Sequence, residues 1–175
     1  MITLITGPVR SGKSTWAESL AQAQPLPVIY VATAHPYPDD PEWQARLIMH
    51  QQRRPPHWQT WEVPENVPEA IAQAPIDHFL LLDSLGTWTA NLLDRDNTAW
   101  EHQVQLFLQT LRGKEMVIVA EETGWGVVPP YASGRLFRDR LGILTRLVAH
   151  HSDRAYLMVA GYALDIKQLG HKCAI

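Results

Sequence analysis

The sequence predicts a doubly wound α/β fold with a mostly parallel sheet, and two observations carry that prediction. Short apolar stretches of strand composition alternate with longer stretches of helical periodicity along the chain. The first of these strands runs directly into the segment 7–14, which has the pattern G-x-x-x-x-G-K-S of a phosphate-binding P-loop. We therefore expect a single P-loop nucleotide-binding domain over residues 1–175, with helices on both faces of the sheet.

The P-loop pattern predicts a nucleoside triphosphate site at the first strand–helix turn. Glycines at both ends let the backbone approach a phosphate, and successive N–H groups together with the following helix N-terminus attract an anion. Lys13 can reach the β- and γ-phosphates, and the Ser14 hydroxyl can bind Mg²⁺. A chance glycine-rich turn is the alternative, but the strand before and the helix after favour the P-loop. The loop residues are Gly7, Pro8, Val9, Arg10, Ser11, Gly12, Lys13 and Ser14.

Composition excludes several other classes of protein. The net charge of −3 gives no overall basic field, so nucleic acid is not an expected partner. The single cysteine, Cys173, excludes an internal disulfide and fits a reducing compartment. The longest apolar runs are too short to span a membrane, and no signal peptide is expected before a strand that runs into the P-loop. We expect a cytoplasmic protein.

The first half of the chain reads as a series of strands and helices. A strand, a helix and a second strand within about thirty residues form a βαβ unit, which implies parallel strands and a right-handed crossover. Thr33 and Ala34 leave the second strand at its C-terminal edge, where ligands bind in open α/β sheets. The predicted elements are strand 1–6, helix 13–23, strand 28–31, loop 36–41, helix 41–53, strand 57–63 and helix 65–74.

The second half continues the alternation. Asp94–Asn97 is predicted to be a polar break, and Gly113 suits the end of a helix. The chain from Tyr162 onward is predicted to be a tail. The predicted elements are strand 77–84, helix 85–93, helix 100–112, strand 115–122, loop 124–130, helix 133–151 and strand 154–161.

Acidic residues follow two of the predicted strands. Asp83 ends an apolar strand in the Walker-B pattern, in which the carboxylate holds Mg²⁺ directly or through water. Glu121 and Glu122 end another strand, and they would lie near Asp83 if the two strands are neighbours. A solvated strand exit explains the two glutamates equally well.

A histidine within the helix 41–53 suggests the type of reaction. Trp43, Arg46, Leu47 and His50 are spaced by three or four residues and so share one side of that helix. A neutral imidazole can attack phosphorus to form a phosphoramidate, and neighbouring arginines can stabilise the charge that develops. A surface histidine without a chemical role is the alternative.

The order of these motifs resembles a known family over nearly the whole chain, namely the bifunctional adenosylcobinamide kinase / adenosylcobinamide-phosphate guanylyltransferases of cobalamin biosynthesis. Four features depart from the family pattern. Pro8 replaces a glycine often seen after Gly7, and Thr145-Arg146 replaces an Asn-Gln pair in the long helix. Glu121 stands where asparagine commonly precedes the acid, and Gly86 stands where threonine is usual. The matching segments are Arg10–Ser14, Arg46, His50, Arg54–Glu62, Leu82–Asp83, Trp88 with Asn91–Leu93, Glu122–Pro129, Arg135–Gly142 and Val159–Gly161.

The resemblance implies a RecA-like core and two activities. The family phosphorylates adenosylcobinamide with ATP or GTP, and then transfers GMP from GTP to adenosylcobinamide phosphate through a guanylyl-histidine. His50 matches that histidine, and a homotrimer is implied. The positions that match guanine nucleotide contacts are Thr33, Ala34, Gln51, Gln52, Arg53, Arg54, Glu62 and Asp83. The competing hypotheses are a P-loop kinase of another small molecule and a nucleotide-binding switch.

Overall fold

The computed structural model describes residues 1–173, and within them seven strands form one sheet. The strands are β1 (Ile2–Gly7), β2 (Val28–Ala32), β3 (Gln59–Glu62), β4 (Phe79–Asp83), β5 (Glu115–Glu121), β6 (Arg154–Val159) and β7 (Tyr162–Asp165). The helices are α1 (Lys13–Gln22), α2 (Pro41–Arg53), α3 (Val67–Gln73), α4 (Leu85–Asn91), α5 (Asn97–Thr110), α6 (Ala132–His151) and α7 (Ile166–Leu169).

The strand order is β3-β2-β4-β5-β1-β6-β7, and every neighbouring pair is parallel except β6 and β7. The predicted α/β fold with a mostly parallel sheet is therefore confirmed. Strand β5 lies between β1, which leads into the P-loop, and β4, which ends at Asp83. In the β1–β5 register Gly7 is opposite Glu121, so Glu121 lies at the sheet edge beside the P-loop.

Helices cover both faces of the sheet, and alternate residues of each strand point to opposite faces. Leu4, Leu82 and Ile118 belong to the larger core, which includes Trp88, Phe107 and Leu144 of the helices α4, α5 and α6. Ile5 and Val119 belong to the smaller core, which includes Ala17 and Ala21 of α1. This two-sided burial explains why the parallel strands read as continuous apolar runs rather than as alternating ones.

The predicted tail from Tyr162 onward is wrong for residues 162–169. Strand β7 pairs antiparallel with β6 in a hairpin whose turn residues, Ala160 and Gly161, have φ values of 50° and 82°. A two-residue turn with positive φ at both positions matches the twist of the strands. Alanine is rare in that conformation, so the turn gave no sequence signal. Asp165 then caps α7 by accepting from the N–H groups of Lys167 and Gln168.

Most other elements match the prediction within a few residues, and α2 matches it at both ends. Helix α5 begins three residues earlier than predicted because Asp96, assigned to the polar break, is its N-cap and accepts from the N–H of Ala99 at 2.8 Å. Within the described part of the chain, no helix is long and apolar enough to cross a membrane.

Candidate active site

A cavity of about 680 Å³ opens at the edge of the sheet that carries the P-loop. It is bounded by the P-loop, the ends of strands β2, β3, β4 and β5, and helix α2. Of the residues predicted for the site, those that line it are Val9, Arg10, Ser11, Gly12, Lys13, Ser14, Ala34, His50, Gln51, Arg53, Arg54, Glu62 and Asp83. The structure thus brings the P-loop together with α2, the helix that carries His50 and begins 27 residues after Ser14.

Four predicted residues are not among those that line this cavity. Gly7 ends β1, and a Cβ there would lie 2.7 Å from the Met158 carbonyl oxygen, so the position requires glycine. Pro8 is the next residue in the loop, and its carbonyl accepts from Lys13 Nζ at 3.3 Å. Gln52 is exposed on α2. Nucleotide contacts by these residues stay a prediction.

Thr33, the fourth of these residues, is fully buried and supports the cavity from behind. Its hydroxyl donates to the carbonyl of Ser84 and accepts from the Ser84 N–H, each at 2.8 Å. Asn91 donates to the Thr33 carbonyl at 2.8 Å. These bonds join the end of β2 to the start of α4 and fix the segment that follows Asp83. A direct contact between Thr33 and a nucleotide also stays a prediction.

Two residues of the P-loop have a left-handed backbone conformation. Gly12 is the N-cap of α1 with φ of 88°, and Arg10 also has a positive φ of 57°. Within residues 1–173 no side chain caps α1, so the N–H groups of its first turn are available to an anion. Lys13 is buried, with 8% of its surface exposed, beside this helix terminus.

Ser14 and Asp83 lie side by side, as the Walker-B interpretation requires. The Ser14 hydroxyl donates to Asp83 Oδ1 over a long 3.4 Å, and the buried Tyr30 hydroxyl donates to Oδ2 at 2.7 Å. The Arg54 guanidinium carbon lies 3.7 Å above the Tyr30 ring, where its positive charge faces the ring's π electrons. One carboxylate oxygen therefore faces the P-loop while the other is held from within the core.

These oxygen donors fit a Mg²⁺ ion that is bound together with nucleotide phosphates. Mg²⁺ prefers hard oxygen ligands and keeps several waters or phosphate oxygens, with one or two protein ligands. Among residues 1–173 there is no group of three or more His, Cys, Asp or Glu side chains arranged to hold a metal ion. Ser14 and Asp83 therefore fit a Mg²⁺ site with few protein ligands, in which the phosphates of the substrate complete the coordination.

His50 projects from α2 into the same cavity and is half-buried. Its Nδ1 atom lies 3.1 Å from Nη2 of Arg53. Burial lowers the pKa of His50, and the positive charges of Arg53, Arg54 and Lys13 lower it further, while Asp83 opposes them. The lowered pKa favours the neutral imidazole, which is the form with a lone pair for nucleophilic attack.

Trp43, Leu47 and His50, which were predicted to share one side of α2, all line the cavity. The side chain of Arg46 lies outside the described part of the chain. Asp40 caps this helix by accepting from the Trp43 N–H at 3.0 Å, and the Trp43 indole donates to the His35 carbonyl at 2.8 Å. The start of α2 is thus fixed to the loop that leaves β2.

Glu18 of α1 supports this site through Arg53, and no sequence motif points to it. Nη2 of Arg53 donates to Glu18 Oε1 at 3.2 Å, and Nη1 donates to the Thr15 hydroxyl at 3.4 Å. Burial raises the pKa of Glu18, although the Arg53 charge opposes that rise. Arg53 therefore connects the histidine helix to the P-loop helix. The pairing spans 35 residues, so no local pattern could have found it.

Glu121 lies at the same edge, near Asp83, as the neighbouring-strand alternative predicted. Its Oε1 accepts from the Ser84 hydroxyl at 2.6 Å, and its Oε2 accepts from the Gly86 N–H at 2.8 Å. Burial raises the pKa of this carboxyl. Glu122, by contrast, does not line the cavity and accepts from the Thr6 hydroxyl at 2.9 Å.

Gly86 and Glu121 lie against each other in the fold. A Cβ at position 86 would lie 2.6 Å from the carboxyl carbon of Glu121 and closer still to Oε2. The carboxyl of Glu121 fits in this place because residue 86 has no side chain.

Comparison with known proteins places the chain among enzymes of one pathway. Residues 3–166 match the family described as "Cobinamide kinase / cobinamide phosphate guanyltransferase". The "Bifunctional adenosylcobalamin biosynthesis protein CobP" of Pseudomonas aeruginosa is 37% identical over 172 residues, which cover 95% of this chain and 98% of that protein. The CobU protein of Escherichia coli with the same description is 33% identical over 184 residues, with coverage of 95% and 100%.

Solved structures support the fold. An ATPase from the type III secretion system of pathogenic bacteria superposes with a TM-score of 0.52 at 10% identity, over 98% of this chain and 58% of that one. At that identity the likeness concerns the fold alone, and it agrees with the predicted P-loop NTPase architecture.

Proposed function

The chain belongs to the cobinamide kinase / cobinamide phosphate guanyltransferase family of transferases, and we propose that it carries out both reactions. In the first, the terminal phosphoryl group of ATP or GTP passes to a hydroxyl of adenosylcobinamide. In the second, GMP passes from GTP to the resulting phosphate and gives adenosylcobinamide-GDP. Both reactions need a triphosphate held at its phosphates, which is what the P-loop offers.

The observation that carries the proposal is the presence of His50 in the same cavity as the P-loop. A neutral His50 nitrogen attacks the α-phosphorus of GTP, the bond to the β-phosphate oxygen breaks, and pyrophosphate leaves. A phosphate oxygen of adenosylcobinamide phosphate then attacks the same phosphorus, and the N–P bond breaks to release the histidine. A kinase alone has no need of a neutral histidine beside its P-loop.

The other side chains of the cavity have roles that follow from their charge and position. Lys13 and the loop N–H groups bind the phosphates, while Arg54 offsets the negative charge of the site. Ser14 and Asp83 would hold Mg²⁺, which when bound neutralises charge on the phosphate oxygens. The remaining proposed nucleotide contacts are Gly7 to Ser11, Gly12, Thr33, Ala34, Gln51, Gln52, Arg53 and Glu62.

Incubation with α-labelled GTP tests the covalent step. We expect label on the protein that is stable to base and labile to acid, and that is lost in His50→Ala. The matched control is His102→Ala, because His102 is an exposed helical histidine on α5, away from the cavity, and it should keep the label. Label that survives in His50→Ala would place the nucleophile elsewhere. The complete absence of label from an enzyme that still phosphorylates adenosylcobinamide would favour a simple kinase in which His50 is structural, held by Arg53.

We further propose that the protein works in the cytoplasm as a homotrimer, as the family resemblance implies, and without nucleic acid as a partner. Sedimentation analysis of the purified protein measures the oligomeric state directly. A monomer that has full activity would contradict the trimer.

A further inference from the structure

A second cavity of about 260 Å³ lies between β1, β5 and α6, and the reaction scheme above does not use it. Glu121 lines both this cavity and the nucleotide cavity, so the two meet at the end of β5. Gly124, Arg138 and Gly142 of its wall belong to the segments that carried the family resemblance. Its polar lining residues are Thr6, Glu121, Glu122, Thr123, Arg138, Thr145 and Arg146.

Two polar groups in this wall have no hydrogen-bond partner within the described residues. The Nη1 atom of Arg138 and the hydroxyl of Thr145 are both buried and unsatisfied. Thr145 as a whole is only 9% exposed. Proteins seldom leave buried polar atoms unpaired, since each one has given up its bonds to water. A bound molecule with acceptor oxygens would supply the missing partners.

The lining combines both signs of charge. Arg138 and Arg146 can bind the oxygens of a phosphate, and the carboxylates of Glu121 and Glu122 can accept from a hydroxyl or an amide N–H. Gly142 contributes no side chain, and a Cβ there would meet nothing within 4 Å. The cavity is therefore suited to a narrow, polar arm of a larger molecule.

An apolar loop follows directly from the cavity wall at Gly124. Trp125 is 65% exposed and Val127 is 94% exposed, yet the end of the loop is firmly held. Nη1 of Arg135 donates to the carbonyls of Pro129 and Pro130 at 3.0 and 2.7 Å. Large apolar side chains exposed to water on such a loop indicate a binding surface.

We propose that the second cavity and this loop together form the acceptor site, an assignment that rests on the proposed function. The cavity takes the arm of adenosylcobinamide that bears the hydroxyl, and then the phosphate that replaces it. Trp125 and Val127 contact the apolar face of the large ring system outside. Glu121 lines both cavities, so an arm bound in the second cavity lies next to the nucleotide cavity.

The test measures, in one set of variants, both the affinity for adenosylcobinamide and the rate of protein labelling by α-labelled GTP. Arg138→Gln removes the unpaired guanidinium and should raise the KM for adenosylcobinamide about 10- to 100-fold, the usual effect of losing a hydrogen bond to a charged group. Trp125→Ala should weaken adenosylcobinamide binding, measured by calorimetry. Neither change should alter the rate at which α-labelled GTP labels the protein, because that step needs only the nucleotide cavity.

The matched controls are Arg112→Gln and Ile76→Ala, which change an exposed arginine and an exposed apolar side chain far from either cavity. Both should behave like the unmodified protein. If Arg138→Gln does not fold, Thr145→Val removes the other unpaired atom without a change of shape. It should also raise the KM, with no loss of thermal stability.

Three outcomes would overturn the acceptor site: an unchanged KM in Arg138→Gln and Thr145→Val, an equal loss of labelling and of acceptor affinity, or dissociation of an oligomer by Trp125→Ala with adenosylcobinamide binding intact. The last result would mean that the loop packs against a second copy of the chain in an oligomer. Failure of the proposed function would look different, since the unmodified protein would then turn over no adenosylcobinamide.

Discussion

Arg53 and His50 lie one turn apart on α2, and the guanidinium Nη2 donates to the imidazole Nδ1 at 3.1 Å. Arginine is always a donor, so Nδ1 is the acceptor and the neutral ring carries its proton on Nε2. The lone pair needed for attack on phosphorus is therefore the one that Arg53 holds. In the proposed reaction the Arg53 guanidinium must release Nδ1. The phosphate oxygens of GTP can then accept its hydrogen bond in place of Nδ1.

Glu18→Gln tests whether the contact between α1 and α2 positions His50. Loss of the carboxylate leaves Arg53 without its charged partner on α1, so α2, which carries His50, is held less firmly over the P-loop. We expect the rate of protein labelling by α-labelled GTP to fall by about 10- to 100-fold, because small misplacements of a nucleophile have effects of that size. Glu101→Gln, an exposed glutamate of α5, is the control. An unchanged labelling rate in Glu18→Gln would remove this role from Glu18.

The pH dependence of labelling tests the neutral histidine. Because burial and neighbouring positive charges lower the pKa of His50, the rate should fall only as the pH drops below the ordinary histidine value of about 6.5. Above that pH the imidazole is already neutral and the rate should be level. Arg53→Gln removes one of the positive charges, so the fall of the labelling rate at low pH should begin at a higher pH. A midpoint of this fall above pH 6.5 in the unmodified protein, or a midpoint moved to lower pH in Arg53→Gln, would contradict this account.

Gly86→Ala tests the dependence between positions 86 and 121. The new Cβ would collide with the Glu121 carboxyl, and overpacking of this kind costs about 1–3 kcal/mol of unfolding free energy. In a Glu121→Ala background the same change should cost clearly less, since the clashing group is gone. Urea unfolding of the four proteins gives the coupling energy.

The control for this cycle is Gly142→Ala. It has open space for the Cβ and lies within α6, so it should stabilise the protein by about 0.5–1 kcal/mol. Equal costs of Gly86→Ala in both backgrounds would show that Glu121 is not the obstacle.

Tyr30→Phe tests the support of Asp83 from the core. The variant loses only the hydroxyl that donates to Asp83 Oδ2, and hydrogen bonds to charged groups contribute about 1.5–3 kcal/mol. We expect the unfolding free energy near neutral pH to fall by that amount. Tyr156→Phe is the control, since no hydrogen bond of its hydroxyl is found within residues 1–173, and its effect should stay within about 0.5 kcal/mol. Similar losses in both variants would mean that the bond to Asp83 contributes little.

The sequence by itself determined those features whose cause is local. The P-loop needs only consecutive residues, because Gly12 supplies the turn and Lys13 and Ser14 begin the helix. Helix α2 was predicted at both ends, since Pro41 starts it and Pro55 follows it closely. The strands were found because burial on both faces makes them continuously apolar.

Only the tertiary structure decided which of these elements meet. The position of β5 between β1 and β4 places Glu121 beside the P-loop and turns Glu122 away, and no residue pattern specifies that order. The contact of Arg53 with Glu18 and the fit of Glu121 over Gly86 each join residues 35 positions apart, and the second cavity joins β1 to β5 and α6. The physical reason is that propensities and caps act within a few residues, whereas strand order and side-chain contacts depend on how the whole chain packs.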